Sequence, residues 1–214
     1  MNRRSFLSSL PIGAILLGTG SAVGAWIAPA AAASGKVDVE QILNDPDAPV
    51  GGNPAGNVTI VAFLDYNCPY CKATAPDLKR FVTTDGKVRL VYKDWPILAV
   101  SSVYGARLAL AAKYQGKYEA AHDALMAIHG RRATESAMHD AVKAAGVDVD
   151  QLDKDLAAHG KAIDALIRRN NAQADALGLK GTPVYLIGPY LVAQSLNYEG
   201  FSEVVGKFRS EIGK

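Results

Sequence analysis

An apolar run, Val58-Thr59-Ile60-Val61-Ala62-Phe63-Leu64, leads within four residues into Cys68-Pro69-Tyr70-Cys71, and this junction constrains the fold more than any other stretch. The run is apolar at almost every position, which predicts a central strand covered on both faces rather than an edge strand. Pro69 suits the first position of a helix, where its missing N–H is not needed. Ala75, Leu78, Phe81 and Val82 give that helix one apolar stripe, and Pro76 inside it is expected to kink it.

Val88 to Tyr92 reads as the next strand, ended by Trp95-Pro96, so the unit is strand, helix, strand and should be parallel and right-handed. From Ser102 to Gly178 the chain is Ala-rich with helical periodicity. Breaks near Gly116, Gly130 to Arg132, Gly146 and Gly160 divide it into four or five expected helices. Start signals are Ser102, Thr134 and an Asp148 to Gln151 capping box. Strand character returns at Val184 to Ile187 and Tyr190 to Ala193, with Gly188-Pro189 as a hairpin turn. A last helix carries the stripe Phe201, Val204, Val205, Phe208 and Ile212.

Cys68 and Cys71 are the only cysteines among 214 residues. As a structural staple so small a ring contributes about 2 kcal/mol, against about 3 for a 15-residue loop. A closed zinc site needs four ligands, but there is no second cysteine pair, and His122, His129, His139 and His159 show no ligand spacing. Redox chemistry is the reading that the spacing favours over staple and metal. No resident cofactor or metal is expected.

Arg3 and Arg4 precede an uncharged stretch from Ser5 to Ala33 that ends in small residues, the pattern of an export signal. Asn2-Arg3-Arg4-Ser5-Phe6-Leu7 resembles the twin-arginine class, with cleavage expected near Ala32 or Ala33. The core from Leu10 to Ile27 is broken by Pro11 and glycines, and retention as an anchor is the alternative to cleavage. Without Arg3 and Arg4 the formal charge falls from +2 to zero, so neither nucleic acid nor an acidic surface is suggested as partner. Export places the pair where disulfides persist, in the periplasm or cell envelope. The expected organisation is an export signal over 1–33, an arm and linker over 34–56, a core from 57–99 and 179–214, and a helical insertion over 100–178. The arm looks too short for dimerisation, so a monomer is expected.

Taken together, Asp65-Tyr66-Asn67-Cys68-Pro69-Tyr70-Cys71, the segment from Lys117 to Met126 (KYEAAHDALM) and Gly181-Thr182-Pro183 before the hairpin resemble the DsbA family of thiol-disulfide oxidoreductases. The resemblance covers the chain from about Leu43 onward. It implies an α/β thioredoxin fold with an all-helical insertion between the second and third core strands. It further implies that Cys68 is the nucleophile, that Cys71 is the buried resolving thiol, and that a cis Thr182–Pro183 bond lies beside them. The Thr182 backbone would then pair with an extended substrate strand, while Pro69 and Tyr70 tune the pair.

At the helix N-cap, the Cys68 sulfur accepts backbone N–H groups and feels the positive end of the dipole, which lowers its pKa toward about 7 or below. Strong oxidases of the family place His where this chain has Tyr70, which carries no positive charge at neutral pH. The expected potential is therefore intermediate, between about −120 and −270 mV, to be read by equilibration with glutathione. A second departure is Ala62, where many relatives carry a buried Glu. Lys93 or Asp65 could act on the same protons, but such residues are more often solvated strand-end charges. Tyr66, Trp95 and His122 read as packing residues.

The sequence thus points to a periplasmic enzyme that exchanges disulfides with unfolded or partly folded exported proteins through a mixed disulfide on Cys68, with a membrane redox partner. A reduced-state isomerase or sulfenic-acid reductase is the alternative among enzymes. A copper-binding protein using the two thiolates is the alternative from another class.

Overall fold

The computed structural model describes residues 37–213 together with the segment Ala28–Pro29. The signal, cleavage and anchor expectations fall on residues 1–33 and otherwise lie outside the described residues. In chain order the elements are β1 (Ala28–Pro29), α1 (Val39–Asn44), β2 (Val50–Gly52), β3 (Val58–Leu64), α2 (Pro69–Asp85) and β4 (Val88–Asp94). Next come α3 (Val100–Ala112), a 3-10 turn (Lys113–Gln115), α4 (Tyr118–Met126), α5 (Glu135–Ala144) and α6 (Val149–Ala176). Then β5 (Val184–Ile187), β6 (Tyr190–Val192) and α7 (Tyr198–Ile212) complete the chain.

Among the described residues the strands form one sheet in the order β1-β6-β5-β3-β4-β2. β3 lies inside it, parallel to β4 and antiparallel to β5, with Leu64 opposite Asp94 and Phe63 opposite Val184. That position explains its continuous apolar sequence, since both faces are covered. On one face Ile60, Ala62 and Leu64 join Leu90, Tyr185, α2, α7 and the helical block in the larger core. On the other, Val61, Phe63 and Val91 meet Ile42, Trp95, Ala174 and Leu179. The result is an α/β thioredoxin fold whose helices α3 to α6 are inserted between β4 and β5.

Local signals held where they depended on local atoms. The Thr134 and Asp148 side chains cap α5 and α6, accepting from the Ala137 and Gln151 N–H groups. The reciprocal half of the predicted capping box does not form. Gln151 turns instead to Asp155 at 2.8 Å, and the Asp148 N–H donates to Gln115 at 3.0 Å. Ser102 is not a cap, because α3 starts at Val100 and the Ser102 hydroxyl is used by Asp65. Gly160 ends nothing and sits buried inside the 28-residue α6, where an added Cβ would lie 3.3 Å from an Arg107 nitrogen. Close approach of α3 explains a glycine at that point. Gly188 turns the β5–β6 hairpin at φ +56, directly beneath the Phe208 ring.

The run read as arm and linker carries α1 and β2, and β2 pairs antiparallel with β4, Val50 opposite Val91. Its Pro and Gly residues suit an edge strand, which can leave N–H groups unpaired on its outer side. The same segment supplies Asp45, which reverses the expectation for Lys93. Lys93 is fully buried, not solvated, with its Nζ 3.7 Å from Asp45 Oδ2. Burial drives the Lys93 pKa down to about 8 against the upward pull of Asp45. Asp45 in turn is gripped by Arg169 of α6 through two bonds of 2.7 and 2.8 Å.

Candidate functional site

Cys68 sits at the N-cap of α2 with extended backbone angles, φ −76 and ψ 116, so its sulfur folds back over the first turn. The Cys71 N–H donates to the Cys68 Sγ at 3.4 Å. Both cysteines are free and buried, whereas Tyr70 between them is 63% exposed. Across the molecule, 114 residues later, the Thr182 carbonyl accepts from the Cys68 thiol at 3.2 Å. The Thr182–Pro183 bond is cis. The structure therefore brings together Cys68, Cys71, Pro69, Tyr70, Thr182 and Pro183.

The two sulfurs are driven apart electrostatically. Hydrogen bonding from the Cys71 side chain does most to lower Cys68, and the Thr182 side chain and first-turn N–H groups add to it. These outweigh burial and bring its pKa down to about 6. The Thr182 hydroxyl is buried and has no other partner among the described residues, which leaves it available to a thiolate. The carbonyl contact acts in the opposite sense, since it favours the thiol. Cys71 is pushed far up, first by burial and then by its neighbour Cys68. One sulfur is thus a thiolate at neutral pH and the other holds its proton, which is the division of labour that stepwise thiol-disulfide exchange needs.

The loop before Cys68 is fixed by residues that sequence reasoning undervalued. Asp65 is 1% exposed rather than a solvated strand-end charge. It accepts from the Asn67, Ile97 and Leu98 N–H groups and the Ser102 hydroxyl, all between 2.7 and 2.9 Å. Asn67 donates to Ser101 and Ser102 at 3.0 Å and accepts from the Ala133 N–H at 2.8 Å. Asp-x-Asn spacing is an Asx-turn signal and was the available clue. Pinned this way, the loop tethers β3, the start of α3 and the start of α5 to the cysteine turn.

Register decides which charges can reach the cysteines. Lys93 lies opposite Phe63 and shares its face, away from the thiols. Ala62 lies on the cysteine face, opposite Tyr92 and Tyr185, and is fully buried. The carboxyl on that face is instead Asp94, which accepts from the Tyr118 hydroxyl at 3.0 Å. Burial raises its pKa to about 7, against the hydroxyls of Tyr66 and Tyr118. His122 completes this cluster, 3.0 Å from the Tyr66 hydroxyl, and burial lowers it to about 4, so it stays neutral. Tyr66, Trp95 and His122 are buried as packing residues.

Asp94 gives a stability prediction with a definite sign. Its folded pKa lies above the unfolded value near 3.9, so its contribution is complete below about pH 4 and is lost as pH rises through about 7. Asp94→Asn should match the wild type at pH 4 and gain about 2–4 kcal/mol relative to it at pH 8. Denaturant midpoints at the two pH values check this. A variant destabilised more at pH 8 than at pH 4 would reverse the assignment.

A family model described as thioredoxin matches residues 44–207. The fold superposes on a thioredoxin-like oxidoreductase from Silicibacter pomeroyi DSS-3 with a TM-score of 0.74 and 42% identity, over 80% of this chain and 97% of that one. The thiol-disulfide exchange protein alpha-DsbA2 of Wolbachia pipientis gives 0.73 at 30% identity, over 79% and 91%. The catalytic domain of Proteus mirabilis ScsC, at 24% identity and a TM-score of 0.70 over 79% and 93%, shows the shared fold. Among curated proteins, one named Na(+)/H(+) antiporter NhaA 1 from Salinispora arenicola is 29% identical over 164 residues, covering 75% of this chain and 25% of that protein. The chain thus spans a quarter of the length of the curated relatives it matches. With two free cysteines at the head of α2 and these matches around them, the chain is similar to DsbA-like thiol-disulfide oxidoreductases and belongs to the thioredoxin family.

Proposed function

We propose that the protein exchanges disulfides with exported polypeptides outside the cytoplasm, through a mixed disulfide on Cys68. The separation of the two sulfurs, Cys68 brought down to about 6 and Cys71 pushed far up by burial, carries this reading. The Cys68 thiolate attacks a substrate disulfide, forming one S–S bond as another breaks, and the departing substrate sulfur takes a proton from water. Cys71 then gives up its proton and attacks Cys68 Sγ. The second substrate thiol is released and the enzyme keeps the Cys68–Cys71 disulfide, so two electrons have passed to the substrate. Run backwards, the same steps oxidise a dithiol. Net direction is set by the redox partner that restores the pair.

Apolar side chains near the thiols support an unfolded polypeptide as substrate. Tyr70, Ile97, Leu98 and Val100 are exposed, and the Ile97 and Leu98 backbone is held by the same Asp65 that shapes the cysteine turn. The export reading rests on Arg3, Arg4 and the uncharged stretch after them. Among the described residues no helix is long and apolar enough to cross a membrane. In cells, Cys71→Ala should accumulate mixed disulfides between Cys68 and exported proteins. Capture of no polypeptide, with loss of bound Cu(I) instead, would move the assignment to metal handling. Thiol trapping of the wild-type pair would show which direction the cell maintains.

A further inference from the structure

A groove of about 690 Å³ runs from Pro69, the residue after Cys68, between α2 on one side and α4 with its following loop on the other. It shares no residue with the Thr182–Pro183 loop. Its floor is apolar, since Met126 belongs to the larger core and Ala75 and Ile128 pack against it. Lys72 and Lys79 stand along its α2 wall, seven residues and therefore about 10 Å apart.

The charges of this groove do not balance. Lys79 pairs with Asp123 across it. Lys72 and Arg131 are then left with no second carboxylate among the groove residues to answer them. This excess is local, because the whole chain carries a formal charge of only +2. The Lys72 Nζ donates to the Gly130 carbonyl at 2.9 Å. An ammonium has three N–H groups, so two remain for a ligand. Gly130 holds φ +90, and an added Cβ would meet nothing within 4 Å, so the glycine serves the turn that aims this carbonyl rather than making room. Arg131 follows it directly and is exposed. Lys72 also feels the charge of Cys68, which puts the cationic end of the groove at the thiol end.

We propose that this groove binds an amphiphilic anion, a medium-length aliphatic chain with one carboxylate or phosphate head. The head pairs with Lys72 and Arg131 beside Pro69, and the chain lies over Ala75, Met126 and Ile128 toward Lys79. The groove has the size that small-molecule sites fill. An extended polypeptide suits it less, because the long walls are α2 and the end of α4 and offer no strand edge to a backbone. An aliphatic chain has no such groups to satisfy. Once bound, the anion engages the Lys72 ammonium and sets a negative charge near Cys68, so it favours the thiol over the thiolate. The site goes beyond the exchange reaction and does not depend on which substrate Cys68 attacks.

The test titrates the reduced full chain by calorimetry with decanoate and with decyl phosphate, below their micelle-forming concentrations, and with decanol as the uncharged control. At least one anion should bind about tenfold or more tightly than decanol. Which of the two binds better separates a fatty-acid source from a phospholipid one. Arg131→Glu, at an exposed position, should weaken the anion about tenfold or more and leave decanol unchanged. At saturation the anion should slow alkylation of Cys68 about twofold at about pH 6 and leave it unchanged at about pH 8, where the thiol is ionised with or without ligand. A blocked entrance would slow both equally. Decanol binding as tightly as the anions, anion binding that survives Arg131→Glu, or the same alkylation effect at both pH values overturns the site. Binding of an acidic amphipathic helical peptide with neither anion bound also overturns it, and gives the groove to a protein partner. Exchange with oxidised glutathione in the absence of amphiphile tests the redox reading separately.

Discussion

Cys68→Ala should abolish exchange, a loss on the order of 10³-fold or more, whereas Cys71→Ala should keep the first attack and lose only the release. The asymmetry follows from the separated sulfurs. In the proposed cycle Cys68, with its lowered pKa, supplies the thiolate, and Cys71, raised by burial, acts on the mixed disulfide. Stopped-flow measurement with a disulfide substrate should show one fast stoichiometric event in Cys71→Ala and none in Cys68→Ala. The pH profile adds an independent check. Because the Cys68 pKa is depressed to about 6, its alkylation rate should rise with pH through an inflection near 6 and level off about a unit above it. An inflection near 8.5, the free-thiol value, would show that the N-cap and Thr182 contacts do not hold in solution. The depressed pKa also favours the reduced form, which agrees in sense with a potential above that of thioredoxin.

Asp45→Ala should cost about 3–5 kcal/mol of stability, read as a lower denaturation midpoint at pH 7. Among the described residues Lys93 has no hydrogen-bond partner, and it has no exposure, so Asp45 at 3.7 Å is its counter-ion inside the fold. Removing that carboxylate strands a buried ammonium. Arg169 would keep only Asp47, at 2.8 Å. Lys93→Met should be far milder, within about 1.5 kcal/mol, because it removes the costly ion and leaves the Arg169–Asp45 pair intact. The double variant should then recover part of the loss of Asp45→Ala. If Asp45→Ala and Lys93→Met cost the same, the buried pair does not hold α1 to the sheet.

Much of the architecture was legible because its causes are local. The apolar run of β3, Pro69 after a capping cysteine, the Thr134 and Asp148 caps and the Gly188 turn depend on neighbours within a few residues. Apart from Gln151, which turns to Asp155 four residues on, the assignments that failed involve partners far along the chain. Ser102 looked like a cap because Asp65, 37 residues earlier, was not known to need its hydroxyl. Gly160 looked like a break because Arg107 was not known to cross it.

Spacing and local signals were enough to put two sulfurs one helical turn apart at the head of α2, the first at a cap, after a strand that must be buried, while the inward position of the second came from the family resemblance. Which charges share that environment depends on how the strands pack. Strand register puts Lys93 on the far face and Asp94 on the near one, although the two are adjacent in the chain. It also brings Thr182 onto the Cys68 sulfur from 114 residues away. Alternation along a strand can be read from spacing, but the face that meets the cysteines, and the partners that make a buried charge tolerable, arise only when distant segments pack.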